Sequence, residues 1–272
     1  MRPDPALAAA QALGAHALPL FCALLAAVLL AAGTLWWLLR RYAVPSQPSR
    51  LPPAAFLLLW LAIGFAVVVG AALLFAELAE ALGADAEMGR FDEALSGALR
   101  GSVARPTLEA FAWLTRLGDP PTLSVLGVVV ALLLLAAGRR WLALGWIVAL
   151  VGNSVLNPLL KRVFERVRPL HEHGLAFAEG FSFPSGHASG SVVAYGMLAY
   201  VLVRTLPAAW HLPAVLVASA VAFSTGASRV FLQVHYASDV IAGFATGSAW
   251  LAACIGSIEL TRYYRRTWPP AC

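Results

Sequence analysis

Three short segments carry residues able to handle a phosphate group. The first, Lys161 to Pro169, reads KRVFERVRP and sets a lysine and an arginine seven residues apart. If a helix continued through it, Lys161 and Arg168 would share one face about two turns, or ~10 Å, apart and could converge on one anion. Pro169 disfavours helix at the residue before it, and Glu165, one turn from Lys161, can pair with it. The second segment is Phe183-Pro184-Ser185-Gly186-His187. A serine and a glycine at a helix beginning leave backbone N–H groups free for an anion, which the helix dipole also favours. His187 would then stand at the rim of a phosphate-sized site. The third segment, Ser228 to Asp239 (SRVFLQVHYASD), places His235 and Asp239 four residues apart. At a helix start a carboxylate so placed holds one imidazole nitrogen while the other faces outward. This is the orienting half of a nucleophile, histidine and acid arrangement, in which the histidine can itself attack.

Taken singly, each segment also has a plain structural reading: a basic helix end at headgroup level, a capped turn, and a buried His–Asp pair. Together they specify eleven positions in order: Lys161, Arg168, Pro169; Pro184, Ser185, Gly186, His187; Ser228, Arg229, His235 and Asp239. Ionisable residues at a span boundary are functional candidates by default. No metal is expected, since two-metal phosphatases need several converging carboxylates, and only Asp239 and Glu165 are acidic within the three segments. His171-Glu172-His173 resembles a metal cluster, but HxH without a third ligand is a poor site, and it reads as a polar outer loop.

The elements that position these segments must be membrane helices. Of 272 residues 60% are hydrophobic and 12% charged, against roughly 25% charged in a soluble domain, too few to cover a water-facing surface. Runs able to cross hydrocarbon, each needing ~20 mostly apolar residues, fall at about Leu18 to Leu39, Ala54 to Leu78, Thr122 to Gly138, Trp141 to Leu160, His187 to Val203, Leu212 to Ala227 and Ala237 to Ile258. The sixth is the shortest, at 16 residues. The first is too long for a signal-peptide core and is followed by Arg40-Arg41, so it reads as a retained span with its N-terminus outside. Between the second and third runs, Phe91, Leu95 and Leu99, then Leu108, Phe111 and Leu114, recur at helical spacing. They predict two short helices lying in the interface, either packed on the bundle or guiding an amphiphilic substrate. The expected fold is an all-α polytopic membrane bundle of about seven spans with two short interfacial helices.

The net charge of +5 does not indicate nucleic acid, because the basic residues sit between apolar runs rather than on a solvated face. Arg40, Arg41, Arg50, Arg139, Arg140, Arg204, Arg262, Arg265 and Arg266 fall on one side of the seven spans with Glu259 the only acid, which makes that side cytoplasmic. All three segments then lie on the outer side. Cys22, Cys254 and Cys272 give neither a disulfide framework nor a CxxC site. Lys161 is the only lysine among 19 basic residues.

The three segments match KxxxxxxRP, PSGH and SRxxxxxHxxxD without a substitution. The chain therefore resembles the phosphatidic acid phosphatase type 2 superfamily, over Lys161 to Asp239 by motif and about Ala54 to Ile258 by pattern of spans. Members commonly have six spans, so residues 1–53 stand apart as an added helix with a basic cytoplasmic loop, and 54–272 as the catalytic domain. The resemblance implies metal-independent hydrolysis of a lipid phosphate through a phosphohistidine, with no cofactor. It implies His235 as nucleophile, Asp239 as its partner, His187 as general acid, and Lys161, Arg168, Ser185, Gly186 and Arg229 as the phosphate cage. A lipid phosphotransferase, a vanadium haloperoxidase, a multi-span transporter and a non-catalytic lipid-binding protein are the competing readings. A transporter would repeat ionisable residues along several spans, and a non-catalytic relative would lack His187 or His235. The expected setting is a bacterial inner membrane with the site facing the periplasm.

Overall fold

The computed structural model describes residues 5–43, 53–84, 87–169, 175, 176 and 178–267, and every regular element among them is helical. In chain order these are α1 (Pro5–Ala15), α2 (Ala17–Leu38), α3 (Pro53–Ala84), α4 (Glu87–Ser102), α5 (Arg105–Thr115), α6 (Pro120–Ala136), α7 (Arg140–Phe164), α8 (Gly186–Thr205), α9 (His211–Phe231) and α10 (Ala237–Thr267). Six described segments, within α2, α3 and α7 to α10, are long and apolar enough to cross a membrane. The number becomes seven when Arg105–Gly118 and Pro120–Ala136, bent by 43°, are taken as one span. The chain is an integral membrane protein of all-α class.

Span lengths depart from hydropathy at two places. The sixth run is not the shortest: α9 has 21 residues, because it continues past the apolar run through Ser228 and Arg229 to Phe231. Those polar residues end the apolar window but not the helix, since both are buried with hydrogen-bond partners inside the protein. The short helix is α6, with 17 residues.

Helix α8 is the centre of the bundle: half of its most apolar stretch is buried inside the protein, against none of α2's. Small residues make this possible, as membrane helices gain from close backbone approach. At Gly247 of α10 an added Cβ would come within 2.8 Å of the Ser189 carbonyl oxygen, so only glycine permits that crossing. Around α8 a core forms from Trp146, Val193, Met197 and Cys254. Trp146 Nε1 donates to the Gly127 carbonyl of α6 and Trp250 Nε1 to the Ala149 carbonyl of α7, each at 2.8 Å. The indoles thus bury their polar edge by tying helices together.

Both short helices between the second and third spans are present as α4 and α5. Their apolar faces pack on protein: Leu99, Leu108 and Phe111 are buried with Phe231, Leu232 and Val234. Helix α1 was not expected, because its alanine-rich sequence has no apolar stripe. It packs along α4, where Ser102 Oγ donates to the Gly14 carbonyl at 2.8 Å.

Candidate active site

The first segment does not continue as a helix. Helix α7 stops at Phe164, and Glu165 takes a left-handed conformation, φ 45°, as its cap. The chain then leaves the helix without regular structure towards Pro169, so Lys161 and Arg168 meet by a turn rather than along one helical face. The loop 179–181 holds them together: Lys161 Nζ donates to the Phe181 carbonyl at 2.7 Å, and Arg168 donates to the carbonyls of Glu179, Gly180 and Phe181 at 2.9–3.1 Å. No Lys161–Glu165 ion pair forms. His171-Glu172-His173 lies outside the described residues.

The second segment opens α8 as its composition requires. Ser185 is the N-cap, its hydroxyl accepting from Ala188 N at 3.4 Å. Being fully buried and so engaged, that hydroxyl faces the helix and not the cavity below. Gly186 and His187 do line the cavity. His187 Nε2 is 2.8 Å from Asp119 Oδ1. Asp119 stands at the bend between α5 and α6, and the bend fits because of Gly118. A Cβ on Gly118 would come within 2.4 Å of Thr225 Cγ2 and 3.1 Å of His187 Cδ2.

The third segment ends α9 and begins α10. Arg229 is 2% exposed, donates Nη1 to Thr115 Oγ1 at 2.9 Å, and leaves its Nε without a partner. A buried, unpaired charged donor costs several kcal/mol unless an anion meets it. His235 lies just before α10, not on it, while Asp239 in the first turn accepts from the Tyr236 N–H at 2.8 Å, as in half of a capping box. Asp239 Oδ2 lies 3.4 Å from His235 Nδ1. On the other edge of the ring, Arg168 Nη1 stands 3.0 Å from Nε2. Arginine can only donate, so Nε2 accepts and the proton resides on Nδ1, towards Asp239. Burial pushes the His235 imidazole down to about 3, outweighing the opposite pull of Asp239. The ring is therefore neutral, with its Nε2 lone pair directed at the cationic groups.

Several residues with no assigned role complete the site. Arg166 Nη1 donates to Asp239 Oδ1 and Ser238 Oγ, both at 2.7 Å, and its Nη2 donates to Asp92 Oδ2 at 2.9 Å. Ser182 donates to Asp239, and Ser238 to Asp92. Burial pushes the Asp92 carboxyl up, whereas Asp239 and Asp92 hold Arg166 above its ordinary value despite burial. Arg166 sits inside the first segment, where its charge was a visible signal. Asp92 had none, since a carboxylate on an amphipathic helix reads as its solvated face. Asp119, before Pro120-Pro121, reads only as a helix start.

Lys161, Arg168, Gly186, His187, Arg229 and His235 border one cavity of about 950 Å³. It runs on between α6 and α7 as an apolar groove past Leu123, Val128, Leu132, Ile147 and Leu150. Among the described residues no side chain of α4 or α5 lines it. Among the described residues no group of three or more His, Cys, Asp or Glu is placed to hold a metal ion.

A model of the PAP2 superfamily matches residues 140–262. Phosphatidylglycerophosphatase B of Bacillus subtilis (strain 168) is 35% identical over 178 residues, 64% of this chain and 87% of that protein. Lipid A 1-phosphatase of Rhizobium johnstonii is 34% identical over 121 residues, 41% of this chain and 46% of that one. Undecaprenyl-diphosphatase of Sulfolobus acidocaldarius is 31% identical over 138 residues, 49% and 63%. The crystal structure of a transmembrane PAP2 type phosphatidylglycerolphosphate phosphatase from Bacillus subtilis superposes with a TM-score of 0.66 at 32% identity, covering 72% of this chain and 97% of that one.

Proposed function

Because the chain belongs to the PAP2 superfamily, we propose that it hydrolyses a lipid mono- or diphosphate at the membrane surface through a phosphohistidine, without a metal. The observation that carries this reading is the continuity of the cationic cavity with the apolar groove between α6 and α7, a shape matched to a phosphate head on a hydrocarbon tail. Undecaprenyl diphosphate, phosphatidylglycerophosphate and phosphatidic acid all have that form, and phosphatases for two of them are among the relatives.

In the proposed reaction His235 Nε2 attacks phosphorus while the ester or anhydride oxygen leaves on the opposite side. Asp239 on Nδ1 keeps the attacking lone pair on Nε2 and stabilises the charge that develops on the ring. His187 donates a proton to the leaving oxygen and then takes one from the water that cleaves the phosphohistidine. Lys161, Arg168 and the unpaired Nε of Arg229 neutralise the equatorial oxygens, joined by the free N–H of Gly186 at the start of α8. Ser185 contributes as the cap that orders those N–H groups. Residues 54–272 hold all of these groups.

The proposed setting is a bacterial inner membrane with the site outward. Supporting it, Arg40, Arg139, Arg204 and Arg262 gather at the far end of the bundle, where Arg139 Nη1 donates to the Arg204 carbonyl and Arg262 pairs with Glu259. The test is phosphate release from isoprenyl diphosphates and glycerophospholipids in detergent, with His235→Asn as blank. That variant should lose turnover and the covalent phosphoenzyme while staying folded, and near-normal activity would refute the assignment. Turnover should persist in EDTA; loss reversed by magnesium would sink the metal-free mechanism.

A further inference from the structure

A second cavity, of about 770 Å³, opens between α2, α8, α9 and α10, away from the proposed phosphate site. None of His187, His235, Lys161 or Arg229 borders it. Its walls are apolar and its depth follows α8: from Arg204 to Val192, twelve residues at 1.5 Å rise give ~18 Å, close to one leaflet's share of a ~30 Å hydrocarbon core. Room is left because α8, α9 and α10 present small residues there, among them Gly196, Ala199, Ala218 and Ala222, opposite Val28 and Leu35 of α2.

The mouth of the cavity is polar and basic. Arg40 and Arg204 border it, with Glu259 between helices. That carboxylate is already engaged: Arg262 Nη1 donates to both its oxygens at 2.6 and 2.7 Å, and the Tyr200 hydroxyl donates to it as well. Arg204 Nη1 stands off at 3.9 Å. Among the described residues Arg40 has no hydrogen bond or ion pair, although it lines the mouth. Arg262 thus satisfies the Glu259 carboxylate, with Arg204 at its margin, and Arg40 and Arg204 are the two guanidinium groups of the lining left for a further anion.

From the apolar depth and the basic mouth we infer that this cavity binds an anionic phospholipid of the leaflet at the Arg40 end, one acyl chain lying along α8 and the phosphate meeting Arg40 and Arg204. Basic pockets between membrane helices on the positive side take anionic headgroups in this way, and a volume of this size suits an amphiphile. Helix α2 supplies one wall and Arg40 lies two residues past its end, in the turn Leu39–Ala43, so the site requires the N-terminal span. The inference does not depend on which lipid phosphate is hydrolysed.

Native mass spectrometry of the full-length protein, released from detergent with equal amounts of dioleoylphosphatidylglycerol and dioleoylphosphatidylcholine, tests it. The wild type should retain phosphatidylglycerol at least fivefold over phosphatidylcholine. Arg40→Gln, which breaks no contact among the described residues, should remove most of that preference while phosphate release is unchanged. Ala222→Phe, which fills the cavity, should lower retention of both lipids. Lys161→Gln, at the outer site, should leave retention as in the wild type. Equal retention of the two lipids by the wild type, or a preference that survives Arg40→Gln, would overturn the inference. So would a preference lost only in Lys161→Gln, which would place the lipid in the outer cavity.

Discussion

Lys161 delivers a single ammonium across the turn to the Phe181 carbonyl, 2.7 Å away, at the edge of the cavity. A guanidinium there would need a wider, planar seat beside the one Arg168 already occupies on the same carbonyl. Lys161→Arg should therefore lower kcat about tenfold or more, measured as phosphate release at saturating substrate; an unchanged rate would show that a compact ammonium is not required. At this scale the sequence was legible where type and spacing carry the chemistry. The candidates at 161, 168, 187, 229, 235 and 239 could be named from the motifs, and the fold gathers them in space. The direction of the Ser185 hydroxyl could not be read there, because whether an N-cap serine faces its own helix or a ligand is decided by packing around the cap. The Asp119–His187 contact was equally hidden, since 68 residues separate the partners.

Helix α4 acts on the site through one residue. Asp92, 2% exposed, receives Arg166 and Ser238, and Arg166 in turn grips Asp239, the partner of His235. Breaking one side of a buried ion pair costs ~3–5 kcal/mol because the other charge is stranded. Asp92→Asn should leave Arg166 drawn to Asp239 alone, weakening the hold of Asp239 on the His235 ring. The expected result is a fall in kcat of at least tenfold with KM little changed and a lower Tm, with Asp92→Glu partly restoring kcat; a normal kcat beside a lowered Tm would make Asp92 merely structural. Periodicity located α4 and α5 correctly because an apolar stripe records that a helix has a face to bury. It could not say whether lipid or protein covers that face. The answer is protein, and it includes the loop before α10: Gln233, held at φ 55°, donates Nε2 to the Ser96 carbonyl of α4.

Across the whole molecule, charge divides the bundle into two ends. One holds the phosphate-type cavity, the other Arg139, Arg204, Glu259 and Arg262. With the native cysteines changed to serine, Glu179→Cys in intact spheroplasts should react with a membrane-impermeant maleimide, and Arg139→Cys only after permeabilisation. The reverse pattern would invert the proposed orientation. Sequence alone determined the membrane class, the all-α fold and the candidate residues of the proposed reaction, because hydropathy and short motifs are local properties of the chain; its seven runs compare with six described spans, or seven with the bent α5–α6 pair. Only the tertiary structure decided that Lys161 and Arg168 meet through a left-handed turn at Glu165, that Asp119 reaches His187, and that Asp92 and Arg166 brace Asp239. Those pairings join residues far apart in sequence, and in an interior where an unpaired charge is costly, packing rather than spacing selects which partners meet.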